Sequence, residues 1–143
     1  MLKQSSDDEI NGWLIYLSQH LSYPLYRLTY NHWQFIFTNP IATYTIDIKD
    51  HGDCLSFGTS LGYDVEGPGR VIFYKYLLNL NAQLNYVHVG IEDGRIILSG
   101  EFVKDNLAFS TLGQCIYIFD NAFQAIYQPI LEEIKRLGLR RKQ

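Results

Sequence analysis

Two cysteines and four histidines are the side chains of widest chemical range in this 143-residue sequence. A metal centre needs several such groups converging, and close spacing is its usual first sign. His20, His32, His51 and His88 are scattered with no HxxxH or HExxH, and neither Cys54 nor Cys115 has a partner at zinc spacing. His51 stands in an acidic turn with Asp50 and Asp53, where the readings are a weak surface cation site or a turn made of turn-forming residues. His88 alternates within a strand and is expected to cover the outer sheet face. The sequence predicts no metal and no cofactor.

A thiol at a helix N-terminus has a lowered pKa and can be nucleophilic. Cys115 stands at the start of the last helical pattern, so it is the one reactive-thiol candidate. Cys54 reads as a small strand residue opposite Lys49. There is no GxSxG elbow. Gly67-Pro68-Gly69-Arg70 precedes a helix and invites a phosphate. It lacks the Lys-Ser/Thr of a P-loop, so it reads as a loop leading into a helix. Asp93 belongs to a turn, Asp7, Asp8 and Glu9 to a helix start, and Glu132 and Glu133 to a solvated helix face. No catalytic residue is predicted, and the chain is expected not to be an enzyme.

Charge and composition narrow the partners. The net charge of −3 weighs against a phosphate-backbone footprint, so nucleic acid is not expected. Lys135, Arg136, Arg140, Arg141 and Lys142 form the one basic run. It reads as a solvated tail complementing a helix dipole, with an RNA or anionic-membrane tail as the alternative. Met1 to Asp8 is polar and acidic with no leader pattern, and no 18-residue apolar run exists, so no membrane span is expected. These features predict a cytoplasmic protein with two reduced thiols. The chain is 47% apolar and rich in Tyr, which fits one folded domain over residues 1–143 with partly buried faces.

The elements that must position these side chains follow from periodicity. Ser6-Asp7-Asp8-Glu9 is a capping box, and Ile10, Trp13, Leu14, Leu17 and Leu21 form the stripe of a first helix that ends at Ser22-Tyr23-Pro24. Leu25 to Tyr30 is either an extra strand or an extended lead-in. Alternation through Trp33–Phe37, Tyr44–Ile48 and Leu55–Phe57, broken at Asn39-Pro40 and His51-Gly52, predicts a three-stranded meander. Tight turns would pair Phe35 with Tyr44, Trp33 with Ile46, Ile48 with Leu55 and Ile46 with Phe57.

A second helix is expected from about Arg70 to Leu84. Phe73, Leu77, Leu80 and Leu84 form one stripe, and Val71, Tyr74 and Leu78 a second, rotated around the axis. That second side would meet another helix of the domain or another subunit. Asp93-Gly94 predicts a type I′ hairpin between Tyr86–Glu92 and Arg95–Val103, with Ile91 opposite Ile96, Val89 opposite Leu98 and Val87 opposite Gly100. Glu92 and Arg95 would face each other as a surface pair. Tyr86, Ile97 and Val103 would lie on the outer face, either as an apolar patch that marks a partner site or as an ordinary tyrosine-rich sheet surface. Ile116, Phe119, Phe123, Ile126, Ile130, Ile134 and Leu137 mark a last helix, kinked or split at Pro129 and ended near Gly138. The class is α+β, in the order α-βββ-α-ββ-α, with helices mainly on one face of an antiparallel sheet.

The segment Leu77-Leu78-Asn79-Leu80-Asn81-Ala82-Gln83-Leu84, followed by a strand and Glu92-Asp93-Gly94-Arg95-Ile96-Ile97-Leu98, resembles the YbjN-like family of bacteria, related in fold to type III secretion chaperones. The element order agrees with that fold over nearly the whole chain. The resemblance implies a homodimer, a sheet open to a partner and no catalysis. In secretion chaperones such surfaces hold an unfolded stretch of a client. The expected partners are therefore a second copy and a protein client, bound through Val71, Tyr74, Leu78, Tyr86, Ile97 and Val103. The other reading is a small-molecule sensor with an aromatic-lined pocket.

Overall fold

A computed structural model of the chain describes residues 6–142. The N-terminal stretch read as lacking a leader lies, over residues 1–5, outside them. The capping box forms: Ser6 Oγ accepts from the Glu9 amide at 3.1 Å and the Glu9 carboxylate accepts from the Ser6 amide at 3.3 Å. It opens α1 (Asp7–Leu21), which Ser22 ends in a left-handed conformation. Then follow β1 (Leu25–Thr29), β2 (His32–Thr38), β3 (Thr43–Asp50), β4 (Cys54–Tyr63), β5 (Val65–Glu66), α2 (Arg70–Asn81), β6 (Val87–Glu92), β7 (Arg95–Val103), α3 (Phe109–Arg136) and β8 (Arg140–Arg141). Six strands make one antiparallel sheet in the order β1-β2-β3-β4-β7-β6.

The hairpin register agrees with the sequence reading: Asp93 and Gly94 both take positive φ, and Ile91, Val89 and Val87 oppose Ile96, Leu98 and Gly100. The meander registers do not. Phe35 pairs with Ile46 and Trp33 with Ile48, while Ile48 pairs with Phe57 and Asp50 with Leu55. Both slips equal two residues because both connections are longer than tight turns. Asn39 Oδ1 accepts from the amides of Ile41 and Ala42, and the Asn39 amide donates to Ala42, which builds a four-residue loop. A slip of two preserves the alternation, so the same side chains still face inward.

That inner face holds Trp33, Phe35, Ile46, Ile48, Leu55, Phe57, Ile96 and Leu98, covered by Ile10 and Leu14 of α1, Phe73 and Leu77 of α2, and the long stripe of α3. Burying each such side chain contributes roughly 1.5–3 kcal/mol. Helix α2 is shorter than expected and ends at Asn81. Helix α3 runs unbroken through Pro129 and starts six residues before Cys115, so the expected split is absent and Cys115 is no helix terminus. Gly138, at φ 66°, ends α3: its amide donates to Lys135 and the Leu139 amide to Ile134, a Schellman arrangement. The basic tail is not simply solvated. Arg140 and Arg141 pair with Glu66 and Val65 in a small ribbon that the sequence did not announce.

Candidate partner surfaces

The second stripe of α2 divides in the structure. Val71 is 66% exposed and Leu78 69%, with Ile72 also at the surface. Nothing within the described chain covers them. Tyr74 belongs to a different environment: its hydroxyl donates to Asp64 Oδ2 at 2.6 Å and accepts from Arg70 Nε at 2.6 Å. Asp64 is fully buried and also accepts from the Val65 amide at 2.7 Å and Arg70 Nη2 at 3.0 Å, with Lys142 Nζ at 3.4 Å. Burial works against its charge, but the bonds from Tyr74, Val65, Arg70 and Lys142 outweigh this and hold its pKa below the usual carboxylate range. Asp64 thus ties the first turn of α2 to the β5–β8 ribbon.

The hairpin residues are less contiguous than their sequence pattern implied. Val103 is 68% exposed at the end of β7, and Ile97 is half-buried near its start. Six residues of strand separate them, roughly 20 Å, and Ser99 and Glu101 lie between them on the same face. Tyr86 is 73% exposed but precedes β6, in a left-handed conformation at φ 69°, so it stands beside the sheet face instead of continuing it. Arg95 does not reach Glu92. Its guanidinium lies 4.4 Å over the Tyr63 ring, with Nη2 3.3 Å from the Tyr63 hydroxyl.

The outer sheet face is polar across its middle. Lys49, Ser56 and Glu101 make one row and Asp47, Gly58, Ser99 and His88 the next. His32 approaches Asp47 at 2.8 Å, His51 approaches Ser56 at 2.8 Å, and His88 approaches Ser99 at 3.0 Å. The face forms an open hollow of about 660 Å³. Among the described residues no three of His, Cys, Asp and Glu converge as a metal site.

The two sheet edges differ. At β6, the Asn81 carboxamide accepts from the Val89 amide at 2.7 Å and donates to its carbonyl at 2.8 Å, so α2 caps that edge. β1 is the other terminal strand and carries exposed Tyr26 and Leu28, followed by exposed Tyr30. Sequence reasoning left this segment open, although its apolar residues at every second position were the available signal.

The cysteine assignments change. Cys115 is buried within α3, and burial pushes its thiol up to about 11. Cys54 pairs with Val103 of β7 and not with Lys49, which pairs with Ser56. Burial, then Glu101 and Asp53, push its thiol up as well. Sequence reasoning also missed three buried carboxylates. Besides Asp64 these are Asp50, clamped by Lys104, and Asp120, which accepts from Tyr44 at 2.7 Å, Asn39 at 2.8 Å and Gln124 at 2.7 Å.

No family model and no curated protein matches the chain. Solved structures do. YbjN of E. coli, a candidate transcription regulator, superposes with a TM-score of 0.64 over 97% of this chain and 98% of that one, at 12% identity. A chain of the HopA1–SchA chaperone–effector complex gives 0.59 over 85% of this chain and 95% of that one, at 15% identity. A chain of the heterodimeric ExoU–SpcU complex, from the type III secretion system of Pseudomonas aeruginosa, gives 0.56 over 85% and 96%, at 17% identity. The chain has the α+β fold shared by YbjN and the type III secretion chaperones.

Proposed function

We propose that this chain is a non-enzymatic, chaperone-like or regulatory adaptor domain that acts as a homodimer and binds a protein client. The observation that carries the reading is the pair Val71 and Leu78, large apolar side chains left exposed seven residues apart on one α2 face. Contiguous exposed apolar surface marks a partner site, and a symmetric dimer needs one self-complementary patch per subunit. Ile72 beside them, and Tyr86 just beyond the helix, extend the apolar surface. The fold's known members support a protein-binding role, since chains with this architecture occur in chaperone–effector complexes.

The client is an extended segment that lies along β1, where Tyr26, Leu28 and Tyr30 offer side-chain contacts and a terminal strand offers main-chain hydrogen bonds. The polar hollow on the outer face suits the rim of such an interface better than its centre. No helix among the described residues is long and apolar enough to cross a membrane. A cytoplasmic place, with both thiols reduced, goes with this reading.

Light scattering tests the dimer. The wild type is expected at about twice the 16.6 kDa chain mass, and V71E/L78E at the monomer mass. Both positions are exposed, so the double variant should keep its unfolding free energy within about 0.5 kcal/mol per site. A wild-type chain that stays monomeric at every concentration removes the dimer from the proposal.

A further inference from the structure

We propose that a slot between β3 and β4 binds a small uncharged ring compound bearing hydrogen-bonding groups on one edge, of the sugar or nucleoside type. This proposal is independent of the partner reading. The two strands pair only from Asp50↔Leu55 to Asp47↔Gly58. Beyond that point β3 stays paired with β2 as far as Thr43, and β4 stays paired with β7 past Ser60. The sheet therefore splits along one seam while both flanks remain intact.

Hydrogen-bond alternation shows what the seam exposes. The Asp50 amide donates to Asn31 on the β2 side, and the His51 amide donates to Cys54 on the β4 side. In an antiparallel strand alternate residues point their main chain to opposite neighbours. Thr45 therefore directs its N–H and C=O toward β4, and Ser60 directs its own toward β3. These two would be the next ladder pair, and they have no register with each other. Their four main-chain groups face a cavity of about 500 Å³, a size suited to a small ligand.

The lining narrows the ligand. Thr45 and Ser60 stand at the mouth, and the slot leads down to Tyr44, Phe123 and Tyr127. Those rings form a stack, with centroids 3.8 Å and 4.9 Å apart. Thr59 also lines the slot; it is 4% exposed, and its hydroxyl has no hydrogen-bond partner among the described residues. Among the described residues no buried side-chain polar atom lacks a partner, so the unbonded Thr59 hydroxyl is the part of that side chain left accessible, and it opens into the slot where a ligand can reach it. The one carboxylate at the slot, Asp47, is already engaged by His32 and Gln34. Hydroxyls, an amide, free main-chain groups and aromatic rings favour an uncharged molecule with a polar edge and an apolar face.

A partner strand fits less well. The open stretch is about four residues long, and at its far end the Arg141 guanidinium lies against Gly62, where a Cβ would meet Nη1 at 2.7 Å. That is shorter than an ordinary strand of five or six residues.

The test is titration of the isotope-labelled protein with glucose, galactose, adenosine and uridine, followed by amide NMR. A sugar or a nucleoside is expected to move the Thr45 and Ser60 amides saturably, and the responding arm names the source. Thr59→Val keeps the shape and removes the hydroxyl, and should weaken binding by roughly tenfold. Tyr127→Leu, at a half-buried position, should weaken it while leaving the rest of the spectrum unchanged. If no probe moves those amides at millimolar concentration, or if Thr59→Val binds as well as the wild type, the split holds water only and the proposal fails.

Discussion

Lys104 Nζ lies 2.9 Å and 2.8 Å from the two carboxylate oxygens of Asp50, and both side chains are almost wholly buried. The pair joins the end of β3 to the residue after β7, 54 positions later. The Gly52 amide adds a third bond to Asp50 at 2.8 Å. Removing one partner of a buried pair leaves an uncompensated charge, which costs about 3–5 kcal/mol. Lys104→Met is therefore expected to lose that much in urea denaturation. Asp50→Leu/Lys104→Met, which removes both charges, should be less destabilised than Lys104→Met alone. A double variant weaker than the single would show that the pair itself, and not the orphaned carboxylate, carries the stability.

Asp7, at the first turn of α1, meets the same pair. The hydrogen bond it shares with Asp50, then burial, then the Asp50 charge, raise its pKa to about 6. Lys104 and Arg27 oppose the rise, and His51 borders the same hollow. Burial also works against the Asp50 charge, but bonds from Asp7, Lys104 and Gly52 outweigh it and lower its pKa. The signs follow. Between the unfolded value of 3.8 and about 6, folded Asp7 keeps a proton that the unfolded chain has lost. Its contribution is complete below that unfolded value and is lost as pH rises through about 6. Asp50 contributes above its unfolded value and loses that contribution as pH falls through its lowered folded one. Asp7→Asn should flatten the fall in stability between pH 4 and 6, an effect on the order of 1 kcal/mol after solvent screening. Denaturation across that range checks the slope; an unchanged slope would show that Asp7 does not titrate against Asp50.

Cys115 should behave as an inert core residue. With its thiol near 11, the thiolate fraction at neutral pH is below about one in a thousand. An aromatic disulfide reagent is expected to react with it only after denaturation, and with half-buried Cys54 slowly. One fast stoichiometric reaction in the native state, mapped to Cys115, would return it to the list of nucleophiles.

Local chemistry was legible in the sequence and long-range chemistry was not. Asp93-Gly94 carries its own backbone preference, so the β6–β7 register followed from two residues. The Asn39 and His51 connections needed loop lengths that no dipeptide states, so their registers slipped by two while the faces survived. Val71 and Leu78 were legible as a stripe. Tyr74 lies on the same stripe by spacing, yet Asp64 and Arg70 draw it into a half-buried cluster around the buried Asp64 carboxylate. Asp120 meets Asn39 across 81 positions, and Lys142 reaches Asp64 from near the C-terminus. Such pairs have no local signature. The β3–β4 slot is more remote still, because it exists only where two strands diverge.

Asn81 shows how a single side chain can close a sheet edge. Its carboxamide supplies Val89 with one donor and one acceptor, as a neighbouring strand would. Val89 is itself buried, so without Asn81 its N–H and C=O lose partners in a place poorly served by water. Asn81→Leu keeps the approximate volume and removes both bonds, at an expected cost of about 1–3 kcal/mol. Asn81→Asp restores the acceptor for the Val89 amide but sets a carboxylate against the Val89 carbonyl, so it should not recover the loss. The sharper readout is amide hydrogen exchange. The Val89 amide is protected through Asn81 alone on that edge, so Asn81→Leu should speed its exchange at least roughly tenfold, while Leu98 of β7, held between β4 and β6, changes little. Equal acceleration at Val89 and Leu98 would mean that the variant opens the whole sheet, and that Asn81 acts on global stability and not as a cap on the β6 edge.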